Sequence, residues 1–333
     1  SQGGAYDGTV GVAAAVALAA WFAKRGRQPQ ADMIVTVIRA EESVWFPVSY
    51  AGSRMALGRL NPEELKAQRG DTGRTLAEHM RDQNFDPDAI WGLKPPRKEC
   101  FIEVHIEQGP VLSAAGDPFA LVTGIRGSLR YRTAQIHGAW AHSGAAPRIA
   151  RADSVFAFAD LVAALDRDWS DTLAHGDDLA VTFGIVNAAS PIHAMAKVPG
   201  ELSFCLDLRS GEKDILERTN AKLVKRIAEI EAQRPGIRFA LGPQSRSTPV
   251  QLSAVLLEGL RQAALDLHRR PPEMLSGGGH DAAAFAAAGW DASMLFVRNE
   301  HGSHNPDETM DLQDLAEAVA VLAHWLDHKQ DGN

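Results

Sequence analysis

The chain has 333 residues, 45% hydrophobic and 23% charged, a globular composition long enough for one large or two medium domains. Its net charge is −8 and its basic residues form no long run, which argues against nucleic acid and anionic membranes as partners. The two cysteines, Cys100 and Cys205, form neither a CxxC pair nor a disulfide framework, which indicates a reducing, cytoplasmic compartment.

The first part of the chain alternates between helical and strand patterns, which favours an α/β layered domain. An Ala-rich helix is predicted at Val10 to Lys24, ended by Gly26, and its most apolar part is too short to cross a bilayer. Because the sequence begins at Ser1 without an initiator Met and runs straight into this helix, we expect an N-terminal segment to be missing. The other predicted elements are a buried strand at Met33 to Arg39, surface helices at Asn61 to Gln68 and Thr75 to Asn84, a Pro-rich loop at Trp91 to Arg97 and an alternating strand at Cys100 to Ile106.

The pattern changes after Gly124-Ile125-Arg126-Gly127. The order strand, helix, strand, strand, helix, strand is that of a small α+β sandwich of the ferredoxin-like type. These six elements are predicted at Leu129 to Ile136, Ala152 to Leu165, Leu179 to Val186, Glu201 to Leu208, Ile215 to Ala232 and Ile237 to Leu241.

The α/β pattern then returns and continues to the end of the chain. We therefore predict an α/β domain interrupted by an inserted α+β domain, with boundaries at residues 1–124, 125–246 and 247–333. The last predicted elements are helices at Leu252 to Leu267, Asp281 to Ala288 and Leu312 to His328, and an apolar strand at Ser293 to Val297.

Several acids and histidines lie where ligands collect in open α/β sheets, at strand ends or just before a helix. Asp7 lies in the glycine-rich turn GGAYDGTVGV, Glu41 and Glu42 end a predicted strand, His105 lies late in CFIEVHIEQGP, and His304 lies in HGSHNPDE. Carboxylates and imidazoles in such places are typical ligands of divalent metals.

Each of these residues also has an ordinary structural interpretation. Asp7 fits a helix cap or turn, His105 a hydrogen-bonded core histidine, and His304 a turn residue. Glu41 and Glu42 fit a solvated strand end. Taken singly, none of the five identifies a metal site.

Together with their flanking motifs, the residues resemble the zinc-dependent amidohydrolases of the M20 peptidase superfamily. Within it they are most similar to the hydantoinase/carbamoylase branch, which holds N-carbamoyl-L-amino acid hydrolases, allantoate amidohydrolases and β-ureidopropionases. HIEQGP is specific to this branch. The matching stretches follow the family order over nearly the whole chain: GGAYDGTVGV, AEESVWF, GSRMALG, HIEQGPVL, GAWAHSGAAPRIARADS, VPGELSFCLDLRS, SGGGHDA and GSHNPDE.

The resemblance implies a zinc-peptidase-like catalytic domain interrupted by a ferredoxin-like lid that also mediates dimer formation. It implies two divalent metal ions, zinc or manganese, with cobalt and nickel also compatible. Asp7 would bridge the ions, Glu42 and His304 would complete one site, and His105 and a further histidine the other. That last histidine belongs to a family Gly-Ser-His-x-Asp motif upstream of Asp7 and is absent from this chain.

The resemblance also implies roles for residues that act on water and substrate. Glu41 would be the general base, which takes a proton from the attacking water and passes it to the leaving nitrogen. Arg209 in LDLRS would grip a substrate carboxylate with its planar guanidinium. Gln108 would hydrogen-bond the ureido or amide group, and His142 in AHSGAAP would stabilise the oxyanion, commonly in the partner subunit's site.

Three positions depart from the family pattern. Ala40 and Trp45 replace an acid and an arginine around the two glutamates, and Ala196 replaces an asparagine that helps to hold substrate. Trp45 and Ala196 suggest a more apolar pocket or a substrate other than the usual ureido acids. His280 and Asp281 in SGGGHDA are expected to support the site rather than to bind metal.

The favoured function is that of a metal-dependent enzyme that hydrolyses the C–N bond of an N-carbamoyl-L-amino acid. An allantoate-type or N-acyl amino acid amidohydrolase is the alternative, and a non-catalytic M20-like binding protein is a third. All the enzymatic readings imply a small carboxylate-bearing substrate, and the resemblance implies a homodimer. The retained Glu41 argues against the non-catalytic reading, since a site without catalysis has no need of a general base.

Overall fold

The structure, a computed structural model, describes residues 4–92 and 98–328, so the loop predicted at 91–97 falls largely outside the described residues. Two compact units divide the chain: unit 1 comprises 1–125 and 250–333, and unit 2 comprises 126–249. The helices are α1 Thr9–Arg25, α2 Ala51–Ala56, α3 Leu76–Asp82, α4 Val111–Ala115, α5 Ser154–Ala174, α6 Lys213–Gln233, α7 Ala254–Asp266, α8 Asp281–Ala287 and α9 Leu312–His328, with 3-10 turns at Pro62–Lys66, Ala89–Gly92 and Arg148–Ala150.

Strands occur in both units, and each sheet lies within one unit. In chain order they are β1 Cys100–Ile106, β2 Phe119–Ile125, β3 Gly127–His137, β4 Ala141–His142, β5 Ala180–Thr182, β6 Val186–Asn187, β7 Lys197–Val198, β8 Glu201–Ser210, β9 Arg238–Ala240, β10 Gln244–Ser247, β11 Val250–Gln251, β12 Glu273–Ser276 and β13 Asp291–Val297. No helix in the described ranges is both long and apolar enough to span a membrane.

Unit 1 is built on a mixed five-stranded sheet in the order β1-β13-β2-β11, with β12 also paired to β2. β1 and β13 are parallel, and β13 and β2 are antiparallel. Alternate residues of β2 point to opposite faces: Leu121 joins a core with α1, α7 and α9, whereas Val122 joins a core with α8. The sheet is therefore covered by helices on both faces, which agrees with the predicted α/β layered domain.

Helix α1 packs tightly against the sheet and positions the turn that precedes it. A Cβ on Gly11 would lie 2.6 Å from the carbonyl oxygen of Val104, so only glycine permits this close approach of α1 to β1. Leu18 and Phe22 continue the buried face of α1, and Gly26 ends the helix in a left-handed conformation. The helix predicted at Val10 to Lys24 is confirmed.

The strand predicted at Met33 to Arg39 is wrong. The segment belongs to no strand, and Ile34 and Val37 are 85% and 64% exposed. An apolar run becomes a strand only where a neighbour supplies hydrogen bonds, and no described strand pairs with β1 on the side away from β13. The composition of this run is that of a buried strand, but in the structure the run forms no strand ladder with the open edge of β1.

Other elements of unit 1 were predicted closely or missed. β1, α9 and the helix at 281–287 match their predictions, and the helix predicted at Thr75 to Asn84 is α3, which begins after the capping residue Thr75 and ends at Asp82. β2 was not predicted, although Phe119, Ala120 and Leu121 are among the most buried residues of the chain. A short apolar run without alternation does not distinguish a central strand from other buried segments.

Unit 2 carries an antiparallel sheet in the order β10-β3-β8-β5, in which β9 extends the β10 side and β6 the β5 side. Helices α5 and α6 pack on one face, where Leu161 and Leu223 meet Leu206 and Leu208 of β8. The intervening β8 residues, including Asp207 and Arg209, point to the opposite face and are half-buried. The six predicted elements occur in the predicted order as β3, α5, β5 with β6, β8, α6 and β9, and the short strands β4, β7 and β10 were not predicted.

Candidate active site

Asp7 is the centre of the candidate site in unit 1. It lies in the turn before α1, and each of its carboxylate oxygens meets a different histidine. Oδ1 lies 3.0 Å from Nε2 of His105, and Oδ2 lies 2.7 Å from Nε2 of His304. The Gln108 amide approaches both oxygens, at 3.3 and 3.2 Å. One carboxylate thus links β1 to the loop that follows β13.

The protonation of this pair follows from its surroundings. Burial alone would raise the pKa of Asp7, but the hydrogen bond and positive charge of His105, with Ser303 and His304, lower it to about 2. Burial opposes protonation of His105, yet Asp7 and Glu103 raise its pKa above the usual value. His105 Nδ1 donates to the Ile106 carbonyl at 2.9 Å, which directs Nε2 at Asp7.

The donor set fits a divalent metal. Asp7, Glu42 and His304 each place a ligand atom within 4.8 Å of the other two, and His304 Nε2 lies 2.9 Å from the Glu42 carboxylate. Two carboxylates and an imidazole suit zinc or manganese. Asp7 also contacts the imidazole of His105 through its other oxygen, so its carboxylate lies between two histidines.

Glu41 lies beside the three donors in a different electrostatic setting. Burial, reinforced by the negative charges of Asp281, Glu103 and Glu42, raises the pKa of Glu41 to about 8. A carboxylate tuned in this way can accept a proton near neutral pH and return it. The adjacent residue, Ala40, has a positive φ of 59°, a conformation that turns the chain sharply before the two glutamates.

These side chains line a cavity of about 630 Å³. That volume is in the range of small-molecule sites. Its walls include Asp7, Glu41, Glu42, Trp45, His105 and His304.

Strained backbone is concentrated around the site. Gln108 and His304 have positive φ angles of 64° and 62°, as does Ala40. Non-glycine residues pay roughly 1–3 kcal/mol for such conformations, which persist where the surroundings enforce them. For Gln108 the enforcing contact is its backbone N–H, which donates to Oδ1 of the buried Asn299 at 3.0 Å. The strain aims the side chains of Gln108 and His304 at Asp7.

Glu308 is a supporting residue that sequence reasoning missed. Its buried carboxylate accepts the backbone N–H groups of Tyr6 at 2.7 Å and Asp7 at 3.1 Å. Its other oxygen accepts Ser303 Oγ at 2.6 Å, and the same hydroxyl lies 3.1 Å from Asp7 Oδ2. A Cβ on Gly4 would overlap this carboxylate, which explains a glycine there. Glu308 stands in the motif GSHNPDE, so its place in that motif was the available signal.

Glu103 and Asp281 form a second layer of acids. Burial raises the pKa of Glu103 to about 7 and also raises that of Asp281. Glu103 accepts the N–H of Ala282 at 2.7 Å, which ties β1 to the start of α8. Glu103 and His105 share one face of β1 because they are two residues apart. That spacing was the signal by which Glu103 could have been found.

His280 packs beside His105 and is not part of the donor group of Asp7, Glu42 and His304. Its ring contacts His105 at 4.5 Å between centroids and Phe296 at 5.7 Å. Its Nε2 lies 2.8 Å from Ser276 Oγ. Burial, together with the charge of His105, holds the pKa of His280 well below the usual value, so the ring is neutral.

Two predicted substrate residues lie in unit 2. His142 is exposed at the end of β4, and its Nδ1 accepts the backbone N–H groups of Gly144 and Ala145, each at 3.2 Å. Arg209 lies on the open face of β8, where Nε and Nη2 contact Oδ2 of Asp207 at 3.0 and 2.9 Å. Asp207 also accepts Arg130 Nε at 3.1 Å.

The positions that depart from the family pattern have distinct settings. Trp45 is 56% exposed at the cavity wall and stacks under the Arg69 guanidinium at 3.8 Å. Arg69 in turn pairs with Asp71 at 2.6 Å. Ala196 lies in unit 2, where its carbonyl accepts the N–H of Ser143 at 2.9 Å.

Comparison with known proteins places these features in a wider group. Residues 3–328 match the family model described as Peptidase family M20/M25/M40. The chain is 30% identical to an N-carbamoyl-L-amino acid amidohydrolase of Geobacillus stearothermophilus over 329 residues, covering 97% of this chain and 77% of the relative. It is also 30% identical to an allantoate amidohydrolase of Bacillus subtilis over 326 residues, covering 98% and 77%.

A solved structure gives the same grouping. The crystal structure of a hydantoinase/carbamoylase family amidase from Burkholderia multivorans matches with a TM-score of 0.85 and 25% identity. The match covers 98% of this chain and 77% of that one.

Proposed function

The chain belongs to peptidase family M20/M25/M40, and from this membership we propose that it is a metal-dependent amidohydrolase that cleaves the C–N bond of an N-carbamoyl-L-amino acid. The predicted family and mixed α/β fold are confirmed, and the chain is a hydrolase of non-peptide C–N bonds. The finer assignments of substrate, metal and residue roles are the proposal.

The observation that carries the proposal is the position of Asp7 between two imidazoles, with Glu42 beside one of them. We propose that Asp7, Glu42 and His304 hold one divalent ion and that Asp7 and His105 contribute to a second, with zinc or manganese as the metals. When bound, such ions lower the pKa of a water molecule and polarise a carbonyl group.

In the proposed reaction, Glu41 carries the proton that moves from the attacking water to the leaving group. Its carboxylate takes a proton from the attacking water and delivers it to the leaving nitrogen, so that a neutral amine departs. The cluster of acids around it and its raised pKa support this role, because a base that binds its proton firmly can also act as the acid. For a ureido substrate the products are an amino acid, carbon dioxide and ammonia.

The remaining predicted residues are proposed to bind substrate. Arg209 binds the carboxylate with two N–H groups, a role for which its placement on the half-buried open face of β8 is suitable. Gln108 donates to the ureido or amide group beside Asp7. His142 stabilises the oxyanion that forms on the carbonyl oxygen.

We further propose that residues 125–246 act as a lid and dimerisation domain between two catalytic segments, 1–124 and 247–333. β5 and β6 lie at one edge of the unit 2 sheet, where Ile185 and Val186 are exposed, and Ile192 and Met195 in the segment between β6 and β7 are exposed as well. Exposed apolar side chains at a sheet edge favour association, so a homodimer is the proposed assembly. The free thiols of Cys100 and Cys205 support the predicted cytoplasmic location.

An allantoate-type or N-acyl amino acid amidohydrolase is the second candidate. Trp45 at the cavity wall favours the N-acyl alternative, because a large aromatic surface suits an acyl chain better than a small ureido group. Arg209 serves either reading, since all of these substrates carry a carboxylate beside the scissile bond.

The experiment that tests the proposal measures ammonia release from N-carbamoyl-L-amino acids and allantoate by zinc- or manganese-loaded protein. N-acetyl amino acids run in parallel and are detected as free amine, and Glu41→Gln is the matched inactive control. Turnover of carbamoyl substrates is expected. Turnover of only allantoate or the acyl compounds would move the assignment to the second candidate, and metal binding without any turnover would contradict both.

A further inference from the structure

We propose that Arg151 is a positioning residue that holds the turn 143–146 so that His142 is fixed as the Nε2–H tautomer. His142 then presents a hydrogen-bond donor to substrate and never a lone pair. The consequence for catalysis rests on the proposed role of His142, but the tautomer itself does not.

The first observation is what surrounds Nδ1 of His142. The backbone N–H groups of Gly144 and Ala145 both point at this nitrogen, each at 3.2 Å. A backbone N–H can only donate, so Nδ1 must supply the lone pair. In a neutral imidazole the proton then resides on Nε2. A proton on Nδ1 would face two other N–H groups.

The second observation is how the turn is held. The carbonyl of His142 accepts the N–H groups of Ala145 at 3.2 Å and Ala146 at 3.0 Å, which closes the turn. Arg151 then bonds two carbonyls of the turn: Nε donates to Ala146 at 2.9 Å, and Nη2 donates to Ser143. One half-buried guanidinium therefore spans both sides of the N–H pair that contacts Nδ1.

The base of the turn is also anchored. β4 pairs with β7 through Ala141 and His142, and Ser143 N–H donates to the Ala196 carbonyl at 2.9 Å. The backbone before the turn is thus fixed by strand pairing, whereas the carbonyls of the turn are fixed by Arg151. Removal of Arg151 should therefore loosen the turn that carries the N–H groups of Gly144 and Ala145, while the pairing of β4 is retained.

The chemical advantage lies in where the negative charge forms. An oxyanion needs a preorganised N–H donor, and a ring that exchanged its proton between two nitrogens would offer a lone pair part of the time. His142 fixed as the Nε2–H form always offers the donor. In this scheme His142 keeps its proton throughout, and proton transfer belongs to Glu41.

The direct test is ring ¹⁵N NMR of the full chain labelled at histidine, at neutral pH and without substrate. The chain has 12 histidines, and the His142 signals are those that vanish in His142→Gln. We expect a protonated Nε2 and an unprotonated, hydrogen-bonded Nδ1 in the wild type. A protonated Nδ1 in the wild type would overturn the proposal.

The variants then test Arg151 itself. Arg151→Ala should give His142 signals averaged between the two tautomers. Arg151→Lys should restore the fixed tautomer only in part, because an ammonium group lacks the two N–H donors that the planar guanidinium directs at the two carbonyls. Arg148→Ala is the matched control, since this exposed arginine lies three residues away. His142 signals unchanged in folded Arg151→Ala would refute the role of Arg151.

Kinetics on an active substrate provide the functional readout. Arg151→Ala should lower kcat about 10- to 100-fold with little change in KM. This loss is smaller than the fall in kcat of about 100- to 1,000-fold expected if the His142 N–H donor were removed altogether. An unaltered kcat beside an averaged tautomer would refute the catalytic part of the proposal. If the protein turns over no amide substrate, the proposed function fails while the NMR result still decides the tautomer.

Discussion

The carboxylate of Glu308 accepts the backbone N–H of Asp7 at 3.1 Å across 301 residues of sequence. This contact fixes the turn that carries Asp7, although Glu308 itself does not line the cavity. The same carboxylate holds Ser303, which lies against Asp7 and next to His304. Glu308 therefore couples two segments that supply donors to one proposed metal.

Glu308→Ala should weaken metal binding about 10- to 100-fold, because the donors Asp7 and His304 lose their common support. It should also destabilise the fold by roughly 1–3 kcal/mol, since buried N–H groups lose their acceptor. Competition with a chelator measures the first effect and denaturant unfolding the second. Glu308→Gln keeps a hydrogen-bond acceptor, so its metal affinity and stability should lie between those of Glu308→Ala and the wild type. Asp307→Ala is the control, because Asp307 is the neighbouring residue and is exposed. Wild-type metal affinity in folded Glu308→Ala would contradict this support role.

Glu41→Gln should retain bound metal while kcat falls by about 100- to 10,000-fold, the range expected for loss of a general base. Gln is close to Glu in size, so the cavity wall is preserved. Metal content is read by elemental analysis of the same samples used for kinetics. Glu42→Gln is the contrasting variant, because removing a proposed ligand should lower metal content as well as activity. Substantial turnover by Glu41→Gln would assign the base elsewhere.

The pH dependence of stability offers a test of Glu41 that needs no substrate. Its pKa is raised from 4.5 in the unfolded chain to about 8 in the metal-free fold, so the native state keeps a proton that the unfolded state loses. The stability that Glu41 contributes is present below pH 4.5 and is lost as pH rises through about 8.

In chelator-treated protein, Glu41→Gln should therefore match the wild type near pH 4 and become more stable than it by a few kcal/mol above pH 8, with about 5 kcal/mol as the ceiling. The measurement is the free energy of unfolding across this pH range. Glu63→Gln is the control, because the Glu63 side chain is 71% exposed. A difference between Glu41→Gln and wild type that does not grow with pH would refute the raised pKa.

Much of the site was accessible from the sequence because its residues stand in motifs whose local structure is self-contained. HIEQGP places His105 at the end of an alternating strand, and β1 has the predicted bounds. The strand prediction for Met33 to Arg39 was wrong because strand formation depends on pairing with another strand, which the local sequence pattern does not reveal. Glu308 and Glu103 were overlooked because their roles are set by contacts with Asp7 and Ala282, distant in sequence.

Arg209→Ala should raise KM about 10- to 100-fold for substrates that carry a carboxylate, because a charge-assisted hydrogen bond contributes about 1.5–3 kcal/mol. The same substitution should leave a carboxamide analogue nearly unaffected, so the comparison of the two substrates isolates the carboxylate. Arg209→Lys should recover only part of the loss, since an ammonium lacks the planar fork. Arg130→Ala is the matched control because Arg130 shares Asp207 with Arg209. An equal loss on both substrates would indicate that Arg209 holds the β8 surface rather than the substrate.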